Sequence, residues 1–155
     1  MWLRRATQDE FDEWLPRTEA DYATFIAESG AMPAEQAAEK ARNDIARRFS
    51  AGLDTPGQLV FRVMAGDWPV GWLWLEAPGT GGGDPLMGWV NNVELDPAYR
   101  GRGYGRQAML LAEREVRERG MTSLGLNVHG QNTVARALYE GLDYQTMSLQ
   151  MRKPL

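Results

Sequence analysis

The 155-residue sequence contains no cysteine and a single histidine, His129. The first absence excludes disulfides and thiolate metal sites, and the second excludes a histidine-rich metal site. No apolar run approaches the roughly 20 residues that a membrane helix needs. The opening Met1-Trp2-Leu3-Arg4-Arg5 lacks the apolar core of a signal peptide, so a cytoplasmic protein is the default expectation. An excess of positive charge is missing as well: the net charge of −4 argues against nucleic acid as the main partner. There are no internal repeats and no low-complexity tail.

The charge that is present is unevenly placed. Residues 1–30 hold seven acids and three arginines, whereas the rest of the chain is neutral. A solvated helix face explains this, as would a rim that attracts a cationic substrate. At this length one domain over residues 1–155 is expected.

Periodicity and turn signals predict the element order β-α-α-β-β-β-α-β-α-β. Residues 2–5 read as a strand, and Thr7 or Asp9 as a helix cap. A helical apolar stripe of Phe11, Trp14, Leu15, Tyr22, Phe25 and Ile26 follows, which Pro16 should bend or split. Pro33 opens a second helix to about Phe49. Strands are expected at 58–65, 69–77 and 86–95, with Gly66-Asp67 as a hairpin turn. The run from Pro78 to Pro85 reads as a mobile hairpin loop rather than a phosphate cradle, because it has no Lys or Arg and no helix after it. A helix is expected at 105–119, with Met109, Ala112 and Val116 on one face and Glu113–Arg117 and Glu115–Arg119 as i,i+4 pairs. A strand at 123–128, a short helix at 133–140 closed by Gly141, and a last strand at 144–152 complete the order.

The segment Val93-Glu94-Leu95-Asp96-Pro97-Ala98-Tyr99-Arg100-Gly101-Arg102-Gly103-Tyr104-Gly105-Arg106 carries the most information. A strand runs into a glycine-rich turn with three arginines, and a helix starts directly after it. Such a turn can aim several backbone N–H groups at one anion, and glycines allow close approach of the ligand. The Walker pattern G-x-x-x-x-G-K-[ST] is absent, and the glycine spacing is not that of a dinucleotide fingerprint. The remaining pattern is R-x-x-G-x-G, residues 100–105, after a strand ending in apolar-x-apolar-Asp-Pro. About 27 residues later comes Asn132-Thr133-Val134-Ala135-Arg136-Ala137-Leu138-Tyr139-Glu140-Gly141-Leu142. Asn132 and Tyr139 are two helical turns apart, on nearly one face at a rise of about 10 Å, so one extended ligand arm can touch both.

Together these motifs resemble those of the GNAT N-acetyltransferase superfamily, whose second motif is N-x-x-A-x-x-L-Y-x-x-x-G-F. Gly141-Leu142 is taken here for the family's Gly-Phe, two residues earlier than some members place it. The resemblance implies an α/β chain with the GNAT acyl-CoA N-acyltransferase fold: a mixed, mostly antiparallel sheet with helices on both faces. It implies acetyl-CoA as co-substrate, no metal, and an amine acceptor: a small molecule, a peptide N-terminus or a lysine. Neither nucleic acid nor membrane is expected as a partner, and a homodimer is left open.

Residue by residue, the resemblance implies that backbone groups of Val93, Glu94 and Leu95 pair with the pantetheine arm. Amides of Gly101, Arg102, Gly103, Tyr104, Gly105 and Arg106 hold the pyrophosphate, with charge from Arg100, Arg102 and Arg106. Asn132 binds the pantetheine or cysteamine part and can also cap its helix; Arg136 reaches the CoA phosphates or forms a salt bridge. Tyr139 is the acid for the leaving thiolate. Glu94 is the first candidate base, as the only carboxylate in its strand, with Glu76 behind it. Asn91 and Asn127 stand where relatives keep a carboxylate, so Asn91, Asn92 and Asn127 are candidates to hold a relaying water. His129 is expected at the surface or in packing. The acceptor pocket is expected among residues 11–49, around Trp14, Tyr22, Phe25 and Met32. A competing reading is a non-catalytic acyl-CoA sensor, and another is a transferase of a different acyl group.

Overall fold

The computed structural model describes residues 1–30, 32–78 and 84–153. Its elements are β1 (Trp2–Arg5), α1 (Gln8–Glu28), α2 (Ala34–Arg48), β2 (Gln58–Ala65), β3 (Trp68–Glu76), β4 (Met87–Leu95), α3 (Tyr104–Glu118), β5 (Ser123–Leu126) and α4 (Thr133–Glu140). The five strands lie in the order β1-β2-β3-β4-β5. All neighbours are antiparallel except β4 and β5, which run parallel. The mostly antiparallel sheet with helices on both faces is the architecture the sequence predicts. The middle of the 78–85 loop, residues 79–83, lies outside the described residues.

Strands β2 and β3 are buried on both faces and read accordingly as nearly unbroken apolar runs. Alternate residues go to different layers. Val60, Trp72 and Trp74 pack beneath α1 and α2 with Phe11, Trp14, Ile45 and Phe49. Leu59, Phe61, Val63, Leu73 and Leu75 pack on the other face with Ala108, Met109, Ala112 and Val116 of α3. Trp14 stacks on Trp72 at 5.6 Å and meets Trp74 edge-on at 5.7 Å.

Helix α1 starts in a capping box. Glu10 N donates to the Thr7 hydroxyl at 3.3 Å, and Thr7 N donates to the Glu10 carboxylate at 2.9 Å. Pro16 does not split the helix, which is continuous over 21 residues. The buried side chains Phe11, Trp14, Thr18 and Ile26 lie on both sides of the proline and dock the helix as one piece, outweighing one missing hydrogen bond.

Two expectations fail at the C-terminal end. Residues 144–152 form no strand, and among the described residues they join no ladder of the sheet. Gly141 is a right-handed cap at φ −69°, and the left-handed residue that turns the chain is Asp143 at φ 67°. Asp tolerates this region better than most L-residues do. Asp143-Tyr144 therefore takes the place of the motif's Gly-Phe, with Tyr144 packed against the α3-side core. The i,i+4 pairs on α3 are Arg114–Glu118 and Glu115–Arg119, both at 2.7 Å. Glu113 instead lies beside the Tyr144 phenol, whose pKa burial and that carboxylate push up.

Candidate active site

A wedge forms where β4 leaves β5. The two strands pair only from Met87–Ser123 to Val90–Leu126. On the other side of β4, Asn91 is a bulge, since Trp74 pairs with Asn92 and Leu75 with Val90. The bulge re-aims the strand as its parallel partner ends. From there Val93, Glu94 and Leu95 pair with Leu73, Trp72 and Gly71 of β3 and have no strand on their other side. The close fit to β3 depends on Gly71, where a Cβ would lie 2.2 Å from the Glu94 carbonyl oxygen. The loop after β5 is drawn toward α1: the His129 ring lies 3.9 Å from Phe25, and its Nε2 is 3.1 Å from the Phe25 carbonyl oxygen. His129 thus has the packing role expected of it.

At the end of β4 the chain enters the glycine turn. Gly101 and Gly103 have φ of 71° and 79°, and a Cβ on either would meet nothing within 4 Å. Gly103 is the N-cap of α3 and offers no side-chain cap, so the first-turn amides are left open. Gly105 has another role: its Cβ would lie 3.3 Å from Leu138, so it lets α4 pack closely on α3. Two of the three arginines also hold the frame. Arg100 Nε donates to the Leu95 carbonyl at 2.8 Å, and Arg106 Nη1 to the Gly141 carbonyl at 2.8 Å. No such bond holds Arg102 among the described residues.

Helix α4 borders the same opening. The Asn132 side-chain oxygen accepts from Ala135 N at 3.1 Å, which is the capping role, and its NH2 keeps its donors. Arg136 bonds Glu140 at 3.2 Å and the Gly130 carbonyl at 3.3 Å. Tyr139 is half-buried against the α3-side core, its ring 5.9 Å from that of Tyr144. Burial raises its pKa above the ordinary phenol value, so the hydroxyl keeps its proton at neutral pH.

The carboxylates lie on the α1/α2 side. Asn92 and Glu94 stand opposite Trp74 and Trp72, on the face that α1 covers. Glu94 is partly exposed and 3.8 Å from Arg17 of α1. Glu76 is 5% exposed and receives a hydrogen bond from Arg48 at 3.2 Å. Arg48 also donates to the Asn91 side-chain oxygen, and the Asn91 amide faces Glu76 at 3.5 Å. The Asn91 side-chain oxygen is thus already engaged rather than left open for a water, while Asn127 is exposed beyond β5. Sequence reasoning missed Arg17 and Arg48; the only signal was a basic residue in the last turn of α2. The helix aromatics are mostly spoken for: Trp14 is 1% exposed, and the Tyr22 hydroxyl donates to buried Asp44 at 3.1 Å. Among the described residues no group of His, Asp or Glu could hold a metal ion.

Comparison with known proteins points to one family. The model of the acetyltransferase (GNAT) family matches residues 19–144. YycN of Bacillus subtilis, named an uncharacterized N-acetyltransferase, is 29% identical over 149 residues, covering 95% of this chain and 94% of its own. Its crystal structure has a TM-score of 0.87 to this fold, at 28% identity and with 99% and 97% of the two chains covered. A mycothiol acetyltransferase of Rhodococcus erythropolis is 36% identical over 110 residues, which are 70% of this chain and 37% of that protein. The aminoglycoside N-acetyltransferase AAC(6')-Iy, in complex with CoA, shares the fold at a TM-score of 0.61 and 14% identity, with 99% of each chain covered. With that family model matching residues 19–144, about four-fifths of its length, the chain belongs to the GNAT acetyltransferase family.

Proposed function

We propose that the chain is an acetyl-CoA-dependent N-acetyltransferase that passes acetyl directly to a primary amine. The observation that carries this reading is the continuity of the wedge with the open first turn of α3. An extended arm laid along Val93, Glu94 and Leu95 gains the backbone partners that β5 no longer supplies. Its diphosphate then meets the amides of residues 101–106, where the helix dipole and Arg102 favour negative charge. The NH2 of Asn132 can donate to the pantetheine portion.

In the chemical step the amine nitrogen attacks the thioester carbonyl carbon and the C–S bond breaks. An amine with an ordinary pKa of about 10.4 is protonated at neutral pH, so it must first lose a proton. Glu94 is assigned as the group that takes it, with Glu76 behind it in the Arg48 cluster. Tyr139 gives its proton to the departing thiolate, which burial keeps it ready to do. The sequence has no cysteine, so no cysteinyl intermediate precedes the transfer. The acceptor enters from the α1/α2 side, where Glu94 faces. One domain, and a homodimer, belong to this reading; nucleic acid and membrane do not.

Thiol release from acetyl-, succinyl- and longer acyl-CoA, measured against a panel of small amines, peptide N-termini and lysine peptides, tests the proposal. Acetyl-CoA turnover that depends on one class of amine is expected. Tight CoA binding without thiol release for any amine would support a sensor instead. Turnover only with a longer acyl group would correct the donor.

A further inference from the structure

Two consecutive residues of β4 turn their side chains to the α1/α2 face. Asn92 stands opposite Trp74 there, and the Asn91 side chain meets Arg48 and Glu76 on the same face. A regular strand sends successive side chains to opposite faces, so this doubling marks the bulge. It sets the phase of everything after it. Gly88 and Val90 face the α3 side before the bulge, and Val93 and Leu95 face it afterwards. Glu94 therefore points to the α1/α2 face, where Arg17 lies 3.8 Å away. Unbroken alternation from Val90 would turn Val93 and Leu95 to that face and Glu94 toward α3.

The bulge is gripped from outside the sheet by the end of α2. Phe49, directly after the helix, is buried with its ring 4.9 Å from Trp74 and 5.1 Å from Phe11, which seats the last turn on the sheet. Arg48 is thereby carried over the Trp74 ring, its guanidinium carbon 5.7 Å from the centroid. Its Nη1 donates to Glu76 Oε2 at 3.2 Å and also to the Asn91 side-chain oxygen. The Asn91 amide faces the same Glu76 oxygen at 3.5 Å. One triangle thus ties α2, β3 and β4 together at the residue that breaks the alternation. The Glu76 side chain is only 7% exposed, so its charge depends on the guanidinium.

We propose that Arg48 is a positioning residue for the acetyl transfer: by holding Asn91 in the bulge it fixes the phase of residues 93–95 and so aims Glu94 at the acceptor. It acts through Asn91 and touches neither donor nor acceptor. A cation alone would satisfy Glu76. The guanidinium does more, because it lies over Trp74 while meeting Glu76 and Asn91 together, and a lysine does not reproduce that stacked, planar arrangement. The inference rests on Glu94 as the group that takes the amine proton.

Arg48→Lys and Asn91→Ala test it, since both leave a cation beside Glu76 and neither changes Glu94. Both should lower kcat by roughly 10²-fold, as a misplaced catalytic group does. In a Glu94→Gln background neither should slow the reaction further, because coupled residues do not add. Hydrogen exchange supplies a readout that needs no turnover. The amides of residues 92–95 that bond β3 should lose protection in both variants, while those of β2 keep theirs. Wild-type kcat in both variants, or unchanged protection at 92–95, would overturn the inference. Protection lost evenly across the whole sheet would also overturn it, leaving Arg48 a stabilising residue only. A wild type that transfers acetyl to no amine would remove the proposed function, and a local loss of protection at 92–95 would then still uphold the grip of Arg48 on the bulge.

Discussion

Gly103→Ala separates the two demands that the glycine turn places on its sequence. The residue sits at φ 79° and ψ 0°, so an alanine there is strained by about 1–2 kcal/mol. For a chain of this size that strain lowers Tm by about 2–8 °C. No steric clash adds to it, since the new Cβ meets no protein atom within 4 Å. The space that the Cβ enters is the one assigned to the diphosphate. Displacing one charge-assisted amide contact costs about 1.5–3 kcal/mol, or roughly 10- to 150-fold in affinity. Gly105→Ala is the matched control. Its Cβ points at Leu138, 3.3 Å away, and its backbone is helical. Helix propensity gains up to about 1 kcal/mol there, which offsets the tight contact. CoA titration by calorimetry, with melting of each variant, reads both effects. Gly103→Ala should lose at least tenfold in affinity and Gly105→Ala less than about twofold, within the usual scatter of a change that leaves the residue 105 amide in place and sets its Cβ against Leu138. Wild-type CoA affinity in Gly103→Ala would refute the assignment of the turn.

Tyr139→Phe keeps the ring packed beside Tyr144 and removes only the hydroxyl, so kcat should fall by about 10²–10⁴ while CoA affinity holds; unchanged turnover would remove Tyr139 as the acid. Glu94→Gln should lower kcat by about 10²-fold or more in steady-state assays, and an unaffected rate would shift the base to Glu76 and the Arg48 cluster. Asp44 offers a pH test. Burial raises its pKa, but bonds from Lys40, Tyr22 and Arg47 outweigh that and hold it below the ordinary value. A lowered native pKa stabilises the fold above the unfolded pKa of about 3.9, and that contribution is lost as pH falls through the native value. Asp44→Asn should therefore be less stable than wild type at neutral pH, with the gap narrowing in acid denaturation; a gap independent of pH would contradict this.

Much of the fold was legible because short-range physics writes it into the chain. The apolar runs of β2 and β3, the Gly66-Asp67 turn and the stripe on α3 depend on periodicity and turn chemistry alone. The C-terminal end was misread because alternation alone does not secure pairing. Residues 144–152 have the pattern of a strand, yet among the described residues they join no ladder. The Gly141 reading failed for a related reason, since an aspartate can take a left-handed turn that a glycine motif normally marks. In the site, the spacing of the glycines pointed to an open helix start. It could not show that Gly105 serves packing, or that Arg100 and Arg106 hold carbonyls of the frame. The Arg48–Glu76–Asn91 cluster joins three elements across a span of 43 residues in sequence, so no local pattern announces it.

The central claim is that the wedge and its glycine turn present a thioester for direct attack by an amine. A single-turnover experiment with acetyl-CoA stoichiometric to the protein, quenched and followed by free thiol and by intact mass, tests it most directly. The account predicts that thiol appears only with an amine present, one per acetylated amine, and that the protein mass never changes. Thiol release without an amine, together with an acetyl group accumulating on the chain, would contradict it.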